Sequence, residues 1–577
     1  VIELNKLTEV IYPMINIIIC SSNGCPNKDS IKLLFKCILP KLIAVTVGNK
    51  SAHSVVRAFY VSYLGFLLGT FGKAALQSYI ILLQHLCYTT DGLERAEVRS
   101  ARSSLIGGLM SCLPHRSHRV VVNWLLELST TSKVAYRHIA LELIAKLLNT
   151  EADEDNSVSS EGIDQGQEDT GVADLDINIR RNNSPTAESL AFVNATRHES
   201  NQGSETPPNN NVRSAHCERG KHIVSHVKLL SVVYERLKDV SSTLRARALA
   251  ILTDCVSSNR APIIQAVKEL NGDGEVTRIM SACALCVCDE RAAVRRAAVT
   301  LLHRLLLAAT ASDAASGNVE SVSSANLGIL ISLCRDASIL VRSAAISAMG
   351  EVLLRLPCDS VFDAFFSGPV QQLSDPELKV QEQVVLLVQQ VLIERLRGRC
   401  EAAEDVLPWR FLAAVVRHNM RRHLQKACML MQQTGNFINH RIVDRVSTHL
   451  GEVDEERDLQ CLVLLTSVAR LVDYSDVNFV LQYFYVIMEK QTRDPRLVPL
   501  TLELLSLWCR FIIWEARGML RDYLIDRLTV YRDDGIRVGG AILASALDPE
   551  NLQWASEAKE LGKSFKLFFK FKRVLKI

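Results

Sequence analysis

The sequence predicts an all-α repeat solenoid interrupted by a long acidic disordered insert. Three observations predict it. Aromatic residues make up only 6% of the chain, against many Leu, Ala and Val, which favours stacked helices over a β-sandwich. Apolar residues recur at helical spacing through most of the 577 residues. One short pattern then returns four times, at separations of 50, 47 and 39 residues, the period of helix-pair repeats.

Residues 1–150 carry successive amphipathic patterns and predict N-terminal helical repeats. Within them, 58–72 is an apolar run of about 15 residues, flanked by Arg57 and Lys73. That is short for a membrane span of about 20 residues, and a buried helix pair is expected instead. Residues 151–215 form an acidic linker rich in Asp, Glu, Ser, Asn and Gly. Its 151–179 stretch holds ten acidic residues and no Lys or Arg. Such a segment cannot bury enough apolar surface to offset its chain entropy, so disorder is expected. Helical patterning resumes over 216–561, with the best repeats at about 237–400. A basic Lys/Phe-rich tail, 562–577, closes the sequence.

The repeat is read from Asp239, Asp289, Asp336 and Asp375. Five residues after each stands Leu244, Val294, Val341 or Val380. Six after stands Arg245, Arg295, Arg342 or, in the last copy, Gln381. Nine after stands Ala248, Ala298, Ala345 or Val384. A weaker copy, without the leading Asp, begins at Val98-Arg99. An Asp at a helix start can accept hydrogen bonds from free backbone amides. The aliphatic residue opens a buried stripe: Val294, Ala298, Leu301 and Leu305 follow at spacings of 4, 3 and 4, one helix face. Small Ala at the crossing lets helices approach closely. A single pair cannot bury that face, so copies must stack.

This Asp-x4-Val-Arg-x2-Ala signature resembles the HEAT repeat. The resemblance implies an Asp–Arg ladder between adjacent repeats, which Gln381 interrupts, and about 11–12 repeats outside the linker. The wording at 237–252, 333–353, 375–392 and 455–468 further resembles the condensin non-SMC D-type subunits, and the condensin II (D-three) type more than the condensin I type. What that implies is a regulatory role in mitotic chromosome condensation, in the nucleus and on mitotic chromosomes. The subunit would bind the kleisin and, with a second HEAT subunit, double-stranded DNA and chromatin, with histones a further possibility. ATP hydrolysis would belong to the SMC ATPases of the complex. The alternative is a HEAT scaffold or adaptor in cytoplasmic transport or vesicle trafficking. The chain begins at Val1 rather than Met, which suits a fragment.

Composition narrows the chemistry. Lys plus Arg is 66 and Asp plus Glu is 63, a net charge of +3. This excludes a histone-like basic protein and confines any nucleic-acid contact to a local patch. The sixteen cysteines sit mostly in apolar helical stretches and read as reduced thiols. Cys283, Cys286 and Cys288 lie close together but lack a second ligand pair. His222 and His226 are four apart without the Glu of a zinc-protease helix. No phosphate-binding loop, nucleophile elbow or dinucleotide motif is present. The sequence therefore gives no catalytic, metal or cofactor site, and no membrane partner.

For duplex DNA the candidate contacts are Arg247 and Arg296, which lie off the ladder register, and Arg410, Arg417, Arg421, Arg422 and Lys426. On a helix Arg417/Arg421 and Arg422/Lys426 would each share a face, giving sequence-independent, salt-sensitive binding. The competing reading is a solvated helix face. Asp239, Arg245, Asp289, Arg295, Asp336, Arg342 and Asp375 are assigned to the structural ladder. Ser184-Pro185 and Thr206-Pro207 in the linker are minimal proline-directed phosphorylation sites, where added charge would compete with DNA for basic faces.

Overall fold

The computed structural model describes residues 14–47, 51–149, 225–272, 278–315, 324–398, 406–489, 494–528 and 534–547, apart from positions 16, 21–23 and 436. The linker 151–215, the tail 562–577 and the two Ser/Thr-Pro sites lie outside the described residues, as does His222. The described chain is helical throughout, and its only β pairing is a single bridge between Cys20 and Pro26. Its packing divides into two units, Val1–Gly272 and Asp273–Ile577. Each is a stack of helix pairs of the HEAT class.

The first unit contains α1 (Lys28–Val47), α2 (Ser51–Phe71), α3 (Lys73–Tyr88), α4 (Ala96–Ser111), α5 (His115–Leu128), α6 (Val134–Asn149), α7 (His226–Glu235), α8 (Ser242–Val256) and α9 (Ala261–Asn271). The helices α4, α6 and α8 form one row, each packed on the next. The outer helices close on this row, α5 against α6 and α7 against α8. Leu109, Leu125, Ile144, Leu230, Leu244 and Leu252 on these helices are fully buried. Tyr79 is buried as well, and its hydroxyl donates to the Leu109 carbonyl at 2.8 Å, which removes the cost of an unpaired phenol in the core.

The helices on the two sides of 150–224 belong to this one unit, because α6 packs on both α7 and α8. Ser225 starts α7 by accepting the Val227 amide. Pro262 stands in the first turn of α9, where a missing N–H costs nothing. Gly272 ends α9 at φ 71°, a conformation that favours glycine.

The apolar run at 58–72 differs from the expected helix pair. It lies almost wholly in the single helix α2, and the chain turns only at Gly72, φ 48°. Among the described residues, this is the one helix long and apolar enough to cross a bilayer by length and composition. Tyr63, Leu64, Leu67 and Leu68 are buried, while Val55 and Phe66 are exposed. The apolar surplus thus lies partly on an outer face.

The second unit contains α10 (Arg278–Cys286), α11 (Ala292–Ala315), α12 (Ser324–Leu333), α13 (Ile339–Arg355), α14 (Asp359–Ser367), α15 (Leu378–Val388), α16 (Val406–Arg417), α17 (Arg421–Gly435), α18 (His440–Ser447), α19 (Glu455–Val468), α20 (Asn478–Glu489), α21 (Leu497–Leu507), α22 (Trp514–Leu528) and α23 (Asp534–Leu547). The row α11, α13, α15, α17, α19, α21, α23 packs in sequence. The predicted stripe of Val294, Ala298 and Leu301, and its counterpart Val341, Ala345, Ala348 and Val352, are all buried. Gly350 on α13 faces Leu387 so closely that a Cβ there would clash with its side chain.

Candidate functional site

Each repeat Asp sets a turn. Its carboxylate accepts the backbone amide two residues on: Ser241 for Asp239 at 2.8 Å, Arg291 for Asp289 at 2.9 Å, Ser338 for Asp336 at 2.7 Å and Glu377 for Asp375 at 2.9 Å. The residues capping α8, α13 and α15 are Ser241, Ser338 and Glu377. The Asp therefore sets the turn before the helix rather than capping its first-turn amides. Asp336 and Asp375 also accept an arginine from the preceding repeat. Arg295 Nε and Nη2 donate to Asp336 at 2.7 Å each. Arg342 Nη2 donates to Asp375 Oδ1 at 3.0 Å, with Nε 2.8 Å from Oδ2.

A third rung was not expected. Arg137 on α6 donates from Nε and Nη2 to Asp239 at 2.9 Å each, 102 residues away in sequence. Its own copy of the repeat is degenerate: Thr131 replaces the Asp and Tyr136 the aliphatic residue. Only Arg137-x2-Ala140 survives as a signal.

The remaining guanidinium nitrogen points back. Arg245 Nη1 donates to the carbonyls of Asp239 and Val240, Arg295 Nη1 to those of Asp289 and Glu290, and Arg342 Nη1 to those of Asp336 and Ala337. Arg99 does the same with Leu93 and Glu94, and Arg137 with Thr131 and Ser132. Gln381, which cannot extend a charged fork, still donates to the Asp375 carbonyl. It therefore keeps the local turn bond of its repeat. A planar, five-donor guanidinium suits both tasks at once.

Burial alone would push the Asp239 and Asp336 carboxyls up. The guanidinium and turn-amide bonds, with the nearby arginine charge, outweigh it and hold both below the usual carboxylate range. Arg295 is raised in return by its bonds to Asp336.

The DNA candidates divide. Arg247 donates to Glu142 at 2.8 Å. Arg410 lies 3.3 Å from Asp359, and Arg417 2.8 Å from Asp363. Arg421 pairs with Glu503, and Lys426 donates to the Ser374 hydroxyl at 3.0 Å. Arg296 and Arg422 are exposed, with no carboxylate partner among the described residues. The single helix expected across 410–426 is two helices. Asn419, in the left-handed region at φ 53°, separates α16 from α17, so Arg417 and Arg421 do not share a face. Asparagine is the residue that tolerates this conformation best after glycine.

Among the described residues, no group of three or more His, Cys, Asp or Glu could hold a metal ion. Cys283 and Cys286 are buried, while Cys288 is exposed. Burial pushes the Cys283 thiol up to about 12, and it donates to the Ala298 carbonyl. An open groove of about 650 Å³ in the second unit is lined by apolar Val416, Leu459 and Pro495 and by charged Arg417, Glu455 and Arg496.

No family model matches the chain. Three curated relatives do. It is 21% identical to condensin-2 complex subunit D3-L of Xenopus laevis over 79% of this chain and 30% of that protein. It is 22% identical to condensin-2 complex subunit D3 of Mus musculus over 81% of this chain and 30% of that protein. It is 28% identical to condensin-2 complex subunit CAP-D3 of Arabidopsis thaliana over 29% of this chain and 13% of that protein. Among solved structures, the C-terminal fragment of the Chaetomium thermophilum cohesin loader SCC2 aligns over 96% of this chain and 40% of that one, at 12% identity and a TM-score of 0.42. The chain thus spans about a third of the length of the two animal relatives. Over that stretch it is similar to the D3-type subunits of condensin II.

Proposed function

We propose that the chain acts as a non-catalytic scaffold within a condensin II-type complex, binding the kleisin subunit and duplex DNA during mitotic chromosome condensation in the nucleus. The observation that supports it is the likeness to D3-type subunits across about four fifths of the chain. The three rungs of the Asp–Arg ladder suit a scaffold: within each unit they join neighbouring helix pairs and leave the outer faces for partners. The SMC ATPases and the second HEAT subunit are the partners that follow from this reading. Arg296 and Arg422 are the members of the sequence-derived set best suited to phosphate, because no carboxylate neutralises them among the described residues. The transport-adaptor alternative has no support among the curated relatives.

Affinity purification from mitotic cells with mass spectrometry of the recovered proteins tests the reading. Recovery of two SMC ATPases and a kleisin is expected. Recovery of coat proteins, small GTPases or transport cargo in their place would overturn it.

A further inference from the structure

A cation releases counterions on binding phosphate only if it is not already neutralised. Arg247, Arg410, Arg417 and Arg421 each have a carboxylate within 3.3 Å. Each would have to break that pair before meeting a phosphate. The first unit offers a different set. The 29 residues 98–126 contain four arginines and no Asp or Glu. Arg99 and Arg102 are occupied by backbone carbonyls. Arg116 and Arg119 on α5 are exposed, and no carboxylate lies within ion-pair distance among the described residues.

A third cation joins them from the next repeat. Lys228 on α7 is exposed and donates to Asn123 Oδ1 at 3.4 Å. Asn123 lies one helical turn beyond Arg119 on the same face of α5. Arg116, Arg119 and Lys228 therefore share one surface across two neighbouring helices. The nearest acids on these helices are Glu127, eight residues beyond Arg119 and one turn beyond Asn123, and Glu235, seven beyond Lys228, so each is roughly 10–12 Å along its own axis from Arg119 and Lys228 respectively.

We propose that this α5/α7 face, carried by Arg116, Arg119 and Lys228, is a contact surface for the phosphate backbone of duplex DNA. The proposal rests on the DNA-binding reading above and gives it a location that the sequence-derived set did not include. The contact is to phosphate and is sequence-independent, because the face presents charge rather than a helix shaped to enter a groove.

The test is fluorescence anisotropy of a labelled 30-base-pair duplex with the full chain, across a salt series. Three proteins are compared with wild type: R116A/R119A/K228A, the charge-keeping R116K/R119K/K228R, and R410A/R417A. The alanine triple is expected to bind at least about tenfold more weakly at 100 mM salt. Its log K against log salt slope should be shallower by about 2–3, near 0.9 for each lost phosphate. The charge-keeping triple should bind as wild type does, and R410A/R417A should change little. Thermal melts by circular dichroism confirm that the alanine triple is folded, as expected for exposed side chains. If wild type binds and the alanine triple keeps its affinity and slope, the location is wrong while the DNA reading stands. If folded wild type does not bind duplex at all, both fall. Equal loss of binding to phosphatidylserine vesicles, with duplex binding unchanged, would assign the face to a lipid surface and overturn the proposal.

Discussion

Arg137 and Asp239 form a two-pronged ion pair at 2.9 Å on each prong, although 102 residues separate them. Both side chains are nearly buried, at 9% and 3% exposure. The pair joins the last helix before 150–224 to the turn that follows α7, so the helices on the two sides are tied directly to each other. Replacing 151–223 with a short Gly/Ser linker is therefore expected to leave the thermal midpoint of the first unit within about 2 °C of wild type. Asp239→Ala in the same background should lower it by about 4 °C or more, since each kcal/mol shifts a large domain by roughly 2–4 °C. Circular dichroism melts of both variants check this.

The Arg342–Asp375 rung has the most buried carboxylate, with a side chain 1% exposed. Arg342→Ala leaves that charge unpaired and is expected to cost about 3–5 kcal/mol. Combining Arg342→Met with Asp375→Asn should recover most of the loss. Asparagine still accepts the Glu377 amide but carries no charge to strand. Urea midpoints of the single and double variants distinguish the two outcomes.

Asp239 and Asp336 have carboxyls held below their usual range by their guanidinium partners. A depressed carboxylate contributes stability that is fully present above its unfolded value of about 4, and that is lost as pH falls through the folded value. The double variant D239N/D336N should thus be less stable than wild type at pH 7. The two proteins should converge as the pH is lowered towards about 2–3. Denaturant midpoints at the two ends of that range measure the difference.

Arg102 occupies the position where other copies carry the small Ala. It is fully buried and donates to the carbonyls of Thr89 and Asp91 and to the Thr46 hydroxyl. Its burial draws the guanidinium below its ordinary value, and Asp91 and Cys87 act against that. Arg102→Met keeps much of the volume but removes every donor. A loss of about 1–3 kcal/mol for each group left unpaired is expected, read as a lower urea midpoint of the first unit's transition.

Much of the fold was legible because the repeat writes its packing and its turn chemistry into the same ten residues. The stripe led by Val294 and Val341, and the Asp and Arg beside each, recur in one register, and their geometry is regular. The Arg137 rung was hidden because its copy keeps the arginine and loses the aspartate, and the ladder needs only one partner from each repeat. The break at Asn419 was hidden for another reason. No proline or glycine marks it, and the residues around it are compatible with helix. Among the DNA candidates, spacing on a helix gave charge positions but not their partners. Asp359, Asp363 and Glu503 reach Arg410, Arg417 and Arg421 from 51 to 82 residues away. Partners at that range follow from tertiary packing, which no local pattern records.

The rungs close over 33, 41 and 102 residues with nearly the same donor–acceptor lengths, 2.7 to 3.0 Å. Contour length between partners is therefore a free variable in this architecture. Material can be spliced between two repeats, and lengthened or rewritten, without any adjustment at the joint. Segments that carry regulation can then diverge at their own pace, on a frame whose joints stay the same.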